Sequence, residues 1–171
     1  YCRGSSIHYI VTGSSGGLDS AVTLALAARA CELAKADGYK MCSVGLIMPS
    51  HSKPNAERLG REAIKKFNAE EIFIDLSKGF DFIVEKILTV VNPKIKNLLE
   101  RHGGGPSADW DWSDKIARGN IKSRLRMMCG TYHVARMLKG VVLGTDNLSE
   151  YWMAFWTLHG DVGDFGMIQN I

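Results

Sequence analysis

A turn rich in glycine and serine occupies residues 13–20, with the sequence Gly-Ser-Ser-Gly-Gly-Leu-Asp-Ser. Its three glycines lack a Cβ, so the backbone of the turn can approach a ligand closely. A short apolar run precedes the turn and an alanine- and leucine-rich stretch follows it, which predicts a strand and then a helix. The first amides of such a helix, and the positive end of its dipole, face an anion bound at the turn. The turn therefore predicts a phosphate site.

The turn differs from two common nucleotide-binding loops. It has no lysine at the position that a GxxxxGK[ST] loop requires, and its glycines do not follow a GxGxxG spacing. Ser14, Ser15 and Ser20 supply hydroxyl donors instead. These differences argue against an ordinary kinase-like loop and against a dinucleotide fold of the GxGxxG type.

A carboxylate inside the turn, Asp19, suggests a bound cation. It would repel phosphate unless a magnesium ion lay between the carboxylate and the phosphate oxygens. A second acid, Glu150, lies six residues after Gly144, where another apolar run ends, so the chain can return to the same cleft. The alternative is that Asp19 only caps the helix. Spacing alone leaves both interpretations open.

Strands and helices are predicted to alternate along the chain. The predicted strands are 7–12, 41–48, 71–76 and 141–143. The predicted helices run from Asp19 or Ser20 to about Leu33, from 55 to 67, from 80 to 99 with a break at Pro93, and from 115 to 138 with a bend or late start at Gly119 or Asn120. A glycine-rich loop is expected at 103–106. This order predicts an α/β fold with a doubly wound, mostly parallel sheet.

Polar clusters follow three of the predicted strands, after Thr12, after Met48 and after Leu143. In parallel sheets, ligands bind beyond the carboxyl ends of the strands. We therefore expect these three clusters to line one cleft.

The composition limits the classes of function. At 171 residues the chain is long enough for one domain with its own core. Its 21 basic and 18 acidic side chains give a net charge of +3, which predicts no nucleic-acid partner. No apolar run reaches the roughly 20 residues of a membrane span, and the four cysteines show no paired spacing. We expect a soluble, cytoplasmic protein with free thiols.

Three motifs together resemble those of the NAD synthetases, which are members of the N-type ATP pyrophosphatase (PP-loop) superfamily. They are SGGLDS at 15–20, GNIKSRLRM at 119–127, and LGTDNLSE at 143–150, the last followed by Gly160-Asp161. The first motif alone is shared with GMP synthetase, argininosuccinate synthetase and tRNA-thiolating enzymes. The second and third, which occur in the family's order, narrow the resemblance. It implies a Rossmann-like fold of the adenine nucleotide alpha hydrolase type.

The resemblance also implies a reaction. NAD synthetases are ligases that use ATP, with Mg²⁺, to convert nicotinic acid adenine dinucleotide into NAD. The carboxylate of the dinucleotide attacks the α-phosphate of ATP, pyrophosphate leaves, and ammonia then displaces AMP. The ammonia is either free or released from glutamine. Family members are homodimers, so a dimer is expected.

The resemblance assigns nucleotide-binding residues position by position. Arg126 and Thr145 match positions near the ATP, and the backbone around Met48 would hold adenine. The pyrophosphate part of ATP would lie on the turn, at Gly13, Ser14, Ser15, Gly16, Gly17, Leu18 and Ser20.

Metal, catalytic and substrate positions follow in the same way. Asp19 and Glu150 match the metal positions of the family. Asp19 and Asp161 are the catalytic candidates, with Asp161 helping to deprotonate ammonium. Asp164 and Lys122 are candidate contacts to the dinucleotide substrate.

Two other interpretations remain open. The chain could be another ATP pyrophosphatase, of the GMP synthetase or tRNA-modifying type, or a nucleotide-binding domain without turnover. Leu158 stands where the family commonly has a lysine, and the sequence ends at Ile171, before the family's usual C-terminal segment. We therefore expect a single synthetase-type domain over residues 1–171 that lacks this segment.

Overall fold

A parallel sheet of five strands lies at the centre of the protein. The computed structural model describes residues 1–103, 110–160 and 162–171, without the side chains of residues 111 and 112. The strands are β1 (Tyr9–Gly13), β2 (Cys42–Ile47), β3 (Glu70–Phe73), β4 (Val141–Gly144) and β5 (Phe165–Gly166). Their order across the sheet is β3-β2-β1-β4-β5, and each neighbouring pair is parallel. The predicted α/β fold with a mostly parallel sheet is confirmed.

Helices connect the strands and cover both faces of the sheet. They are α1 (Leu18–Ala36), α2 (Pro54–Lys66), α3 (Ser77–Lys86), α4 (Asn92–Arg101), α5 (Trp110–Leu125), α6 (Tyr132–Leu138) and α7 (Leu148–Trp152). Two π-helical segments, Ile87–Val91 and Arg126–Thr131, join α3 to α4 and α5 to α6. Of the described helices, none is both long enough and apolar enough to cross a membrane. The predicted loop residues Gly104, Gly105 and Pro106 lie outside the described residues.

Alternation along β1 divides the core between the two faces of the sheet. Ile10 packs with Ala27 of α1 on one face. Val11 packs on the other face with Met127 and Ala135, which follow α5. Because both faces are covered, the central strands are apolar throughout, as is usual in parallel sheets.

Helix α1 begins earlier than the sequence predicts. Its N-cap residue is Gly17, rather than Asp19 or Ser20, and Leu18 is its first residue. Gly16, with φ of +80°, turns the chain, and Gly17 is extended, so the helix begins directly after them. Asp19 therefore lies in the first helical turn, where its charge complements the helix dipole. The interpretation of Asp19 as the helix cap is wrong.

The irregular parts of the helices differ from those predicted. Pro93 does not break the helical path; it lies in the first turn of α4, which continues directly from the π-helical segment Ile87–Val91. The π-helical segment before it ends with the Asn92 N–H donating to the Ile87 carbonyl. Gly119 and Asn120 lie inside α5, which begins at Trp110, so the predicted bend or late start is also wrong. The irregularity falls at Arg126–Thr131 instead.

The two edge strands depart from the prediction in opposite ways. β3 ends at Phe73, although Ile74 N–H donates to the Ile47 carbonyl at 2.9 Å and Leu76 N–H to the Pro49 carbonyl at 2.9 Å. These bonds keep the chain alongside β2 without a regular ladder. β5 was not predicted, because a strand of two residues is too short to show alternation.

Candidate active site

The turn after β1 is held by both β2 and α2. Ser14 is buried; its N–H donates to the Leu46 carbonyl at 2.8 Å, and its hydroxyl donates to the Gly60 carbonyl at 3.1 Å. Ser14 therefore lines the site, but its hydroxyl is bonded to the protein. Gly16 lies against α2, since a Cβ at this position would be 2.2 Å from the Ala56 carbonyl oxygen. This packing, in addition to ligand approach, explains the glycine.

The amino end of α1 opens toward the cleft. The hydroxyls of Ser15 and Ser20 lie 3.1 Å apart, and Ser20 also donates to the Gly17 carbonyl at 3.0 Å. Gly17 N–H donates to the Ser15 hydroxyl at 3.3 Å, which closes the turn. Gly17 has no side chain with which to cap α1, so an anion can take up the amides of the first turn.

Asn147 connects the two predicted metal ligands. Its side-chain Nδ2 donates to Asp19 Oδ1 at 3.2 Å, and its backbone N–H donates to Glu150 Oε2 at 3.2 Å. Its Oδ1 accepts a hydrogen bond from Glu150 N–H at 2.9 Å, which completes a capping box at the start of α7. The strand ends after β1 and β4 thereby meet, with Asp19 and Glu150 on either side of one asparagine.

These carboxylates fit magnesium bound together with a nucleotide. Within the described ranges, no group of three or more His, Cys, Asp or Glu side chains is placed to hold a metal ion. Mg²⁺ at nucleotide sites commonly uses only one or two carboxylates and takes its other ligands from phosphate oxygens and water. The donor set of Asp19 and Glu150 matches that pattern.

A cavity of about 270 Å³ lies at the carboxyl ends of β1, β2 and β4. Its size is at the lower end for a small-molecule pocket. The wall contains residues of all three predicted clusters, namely Gly13, Ser14 and Ser15 after Thr12, Pro49 and Ser52 after Met48, and Thr145 after Leu143. Met48 and Arg126 line it as well. The expectation that the three strand ends line one cleft is confirmed by this wall.

Arg126 is fixed at the cavity by two contacts to the segment after β2. Its Nε donates to the Met48 carbonyl at 3.0 Å, and its Nη2 donates to the Ser52 hydroxyl at 3.3 Å. Arg126 begins the π-helical segment, and Thr131 at the end of that segment donates its hydroxyl to the Arg126 carbonyl at 3.3 Å. A π-helical stretch often marks a functional position, and here it places Arg126 and Thr131 on the same cavity wall.

Other predicted residues lie away from this wall. Lys122 Nζ stacks 4.8 Å above the ring of Phe80. Asp164 lies at the edge of the sheet, where its Oδ2 accepts a hydrogen bond from Val142 N–H at 3.0 Å. Burial, and then the neighbouring Asp164 carboxylate, raise the pKa of Tyr132. Asp161 lies outside the described residues.

The whole chain, residues 1–171, matches the family model described as NAD synthase. The chain belongs to the NAD synthase family. The match does not favour the GMP synthetase, tRNA-modifying or non-catalytic alternatives.

Known NAD synthetases align with nearly all of this family member. The NH(3)-dependent NAD(+) synthetase of Burkholderia cenocepacia is 29% identical over 164 residues, covering 95% of this chain and 52% of the relative. The enzyme of the same description from Methanocaldococcus jannaschii is 31% identical over 172 residues, covering 95% of this chain and 53% of the relative. The chain thus spans about half the length of the curated relatives it matches.

A solved NAD synthase structure has the same fold. The crystal structure of the NAD⁺ synthetase from Burkholderia pseudomallei superposes with a TM-score of 0.72 at 29% identity. The superposition covers 100% of this chain and 57% of that one.

Three residues of the site in this NAD synthase chain were not singled out from the sequence. Asn147 had a local signal, because Asn-x-x-Glu is a capping-box pattern and Glu150 follows at the third position. Ser52 had none, since its role depends on a contact with Arg126, which lies 74 residues away. Thr131 had none because its bond to the Arg126 carbonyl depends on the π-helical spacing of that segment.

Proposed function

We propose that this chain forms the ATP-binding and adenylate-forming site of an NAD synthase. The reaction activates the carboxylate of nicotinic acid adenine dinucleotide with ATP and replaces the activated oxygen with ammonia, giving NAD, AMP and pyrophosphate. The observation that carries the proposal is the Asn147 bridge, which brings Asp19 and Glu150 together beside the phosphate turn. A site that only bound a nucleotide would not need two carboxylates beside its phosphates.

In this proposal the turn and α1 bind the phosphates that leave. The first-turn amides of α1 donate to the β- and γ-phosphates, which the helix dipole also attracts and which depart as pyrophosphate. Asp19 and Glu150 would hold Mg²⁺, which neutralises the charge that develops on the leaving oxygens. Cleavage between the α- and β-phosphates requires that the α-phosphate extend from the turn toward the cavity.

The cavity holds the adenosine end. Its wall around Met48 and Leu46 is apolar and suits a base, and Arg126 is the cation at this wall. A guanidinium already held by a carbonyl and a hydroxyl is preoriented, so little side-chain entropy is lost when a phosphate oxygen binds. Arg126 would thus stabilise the α-phosphate as the substrate carboxylate attacks it.

The nitrogen enters in the second step. A free carboxylate does not form an amide because its oxygen is a poor leaving group. Adenylation bonds that oxygen to the α-phosphorus, so that it leaves as part of AMP when ammonia attacks the carbonyl carbon. We propose free ammonia as the nitrogen source, since the aligned relatives are described as NH(3)-dependent. Asp161 is proposed to accept the proton of ammonium, and Lys122 and Asp164 to contact the dinucleotide.

We also propose that the protein acts as a homodimer in the cytoplasm. Large apolar side chains of α7 and the segment after it are exposed, including Trp152 at 77% and Phe155 at 82%. An exposed apolar group of this kind is typical of a protein interface. Light scattering on the purified chain tests the dimer, which predicts twice the 18.8 kDa chain mass.

The activity is tested by incubating the chain with ATP, Mg²⁺, ammonium and nicotinic acid adenine dinucleotide. We expect equal amounts of AMP and NAD, and pyrophosphate release that depends on the dinucleotide. Asp19→Asn should keep the fold and abolish release. Asp37→Asn, at the carboxyl end of the same helix, is the matched control and should retain full activity.

Two results would oppose the proposal. AMP release only when xanthosine monophosphate is the acceptor would assign the site to a different amidation. Unchanged pyrophosphate release by Asp19→Asn would remove this carboxylate as a metal ligand.

A further inference from the structure

The segment that follows β2 is anchored on two sides. We call residues 48–53 the cavity loop, because Met48, Pro49 and Ser52 line the cavity. On one side, the Met48 carbonyl and the Ser52 hydroxyl accept hydrogen bonds from Arg126. On the other side, the loop contacts the start of α3, beginning with the bond from Leu76 N–H to the Pro49 carbonyl at 2.9 Å.

His51 makes most of the contacts on the α3 side. Its Nε2 lies 2.6 Å from Asp81 Oδ1, and because a carboxylate oxygen accepts, the imidazole is the donor. Its ring meets the ring of Phe80 edge-on, with the centroids 6.0 Å apart. Its backbone N–H donates to the Ser77 hydroxyl at 3.3 Å. One residue of the cavity loop is therefore tied to three positions of α3.

The backbone of His51 is in the left-handed region, with φ of +52°. A residue with a Cβ pays for this conformation, and such residues persist where their surroundings hold them in place. The side-chain and backbone contacts to α3 supply that restraint. The left-handed conformation of His51 directs the next residue, Ser52, toward Arg126.

Two carboxylates lie near the imidazole. Asp81 faces it from α3, and Asp75 faces it from the turn before α3. Hydrogen bonds from Ser77, with smaller contributions from His51 and Lys78, lower the pKa of Asp75. The imidazole thus faces two carboxylates on the anchored side of the loop.

We propose that His51 is a positioning residue for nucleotide binding. By tying the cavity loop to Asp81, it holds the Met48 carbonyl and Ser52 where they orient Arg126 toward the adenosine end of the nucleotide. The inference rests on the proposed function, which places that end at the cavity and the pyrophosphate at the turn after β1. Loss of the His51–Asp81 hydrogen bond should therefore weaken binding at the adenosine end and leave binding of pyrophosphate at the turn unchanged.

The test measures two ligands on each variant by calorimetry. AMP reports the adenosine end, and inorganic pyrophosphate with Mg²⁺ reports the phosphate turn. We expect His51→Gly, which tolerates the positive φ but has no ring, to raise the Kd for AMP roughly three- to fivefold, the range of an exposed ion pair. Asp81→Asn should also raise the Kd for AMP. The Kd for pyrophosphate should stay within about twofold in both variants.

A rescue variant and a matched control separate positioning from general damage. His51→Gln places an amide nitrogen at about the position of the imidazole Nε2, where it can donate to Asp81, so it should recover part of the AMP affinity. His8→Ala removes another exposed histidine, one that donates to the Lys40 carbonyl near the amino end of β2, and should leave both affinities unchanged.

The outcomes distinguish the two proposals. An unchanged AMP affinity in His51→Gly would overturn the inference, as would an equal loss of AMP and pyrophosphate affinity. Failure of the wild-type chain to bind either ligand would overturn the proposed function and the inference that rests on it.

Discussion

At the scale of single residues, Asn147 has two separable roles. Its Oδ1 caps α7, and its Nδ2 orients the Asp19 carboxylate. Serine is also a good cap but has no amide to donate, so Asn147→Ser should keep the stability of the fold and loosen Asp19. We expect the Mg²⁺ concentration for half-maximal ATP binding to rise about tenfold, as for loss of an outer-shell partner of a metal ligand.

Asn147→Ala is the comparison variant. It removes both roles, so it should show the same change in Mg²⁺ requirement and lose a further ~1 kcal/mol of unfolding free energy. If Asn147→Ser needed no more Mg²⁺ than the wild type, Asn147 would be a helix cap only.

The second prediction at the scale of single residues concerns Gly16. A Cβ there would lie 2.2 Å from the Ala56 carbonyl oxygen, and its φ is +80°. Gly38 has a similar φ of +75° with nothing within 4 Å of the built Cβ. Chemical denaturation should give a loss of about 3 kcal/mol or more for Gly16→Ala and about 1 kcal/mol for Gly38→Ala. Equal losses of unfolding free energy in the two variants would mean that α2 shifts to make room for the methyl group, so that the packing at Gly16 does not matter for stability.

Gly16 and Ser14 show how much the sequence of the turn reveals about its residues. The spacing of glycine, serine and aspartate in the turn predicts a phosphate loop. It does not reveal that Gly16 is required by a helix 40 residues away, because Ala56 becomes a neighbour only after α2 packs beside the turn. Ser14 is similar: its hydroxyl bonds to Gly60 instead of extending toward a ligand.

At the scale of elements, the helix that runs from α5 to α6 is regular at Gly119, where the sequence suggests a bend. It is irregular at Arg126–Thr131, beside the cavity. Gly119 is exposed, and a Cβ there meets nothing within 4 Å. Gly119→Ala should therefore stabilise the protein by about 0.8 kcal/mol through helix propensity alone. A loss of stability, measured by denaturation, would show that α5 needs flexibility at this position.

Gly130 is the matched position in the π-helical segment. A Cβ there would lie 2.0 Å from Met48 Sδ, so Gly130→Ala must displace that side chain. We expect it to lower stability by about 1–2 kcal/mol and to weaken AMP binding at the cavity. Wild-type behaviour in both measurements would mean that Met48 moves freely.

The π-helical segment also explains why the irregularity in this helix was predicted at the wrong position. Apolar periodicity indicates a helix across residues 115–138, and that expectation holds. A π-helical turn lies within the same periodicity, so periodicity does not reveal it. Gly130 in this turn packs against Met48, which is distant in the sequence.

At the scale of the whole molecule, the order of strands places the site. β1 lies between β2 and β4, so the three polar clusters that follow these strands meet at one edge of the sheet. Four strands and the cleft could be predicted because apolar runs and the polar residues that end them are local signals. The fifth strand could not, because Phe165–Gly166 pairs with β4 through only two residues.

The stability of the whole fold should fall at alkaline pH, in part through Cys31. This thiol packs against the core on the α1 face, and burial, followed by Cys42 and Cys2, raises its pKa from 9.0 to about 11. A raised pKa means that the folded state retains the proton more strongly than the unfolded state. The contribution is therefore complete below pH 9.0 and is lost as the pH rises through about 11.

Cys31→Ala removes this titration, so its unfolding free energy should decline less steeply than that of the wild type across this pH range. Burial also raises the pKa values of Cys42 and Tyr132, so the slope should become shallower without disappearing. Urea denaturation at several alkaline pH values measures the slope, with Cys129→Ala, at an exposed cysteine, as the control that keeps it. Parallel curves for wild type and Cys31→Ala would show that the thiol titrates alike in the folded and unfolded chain.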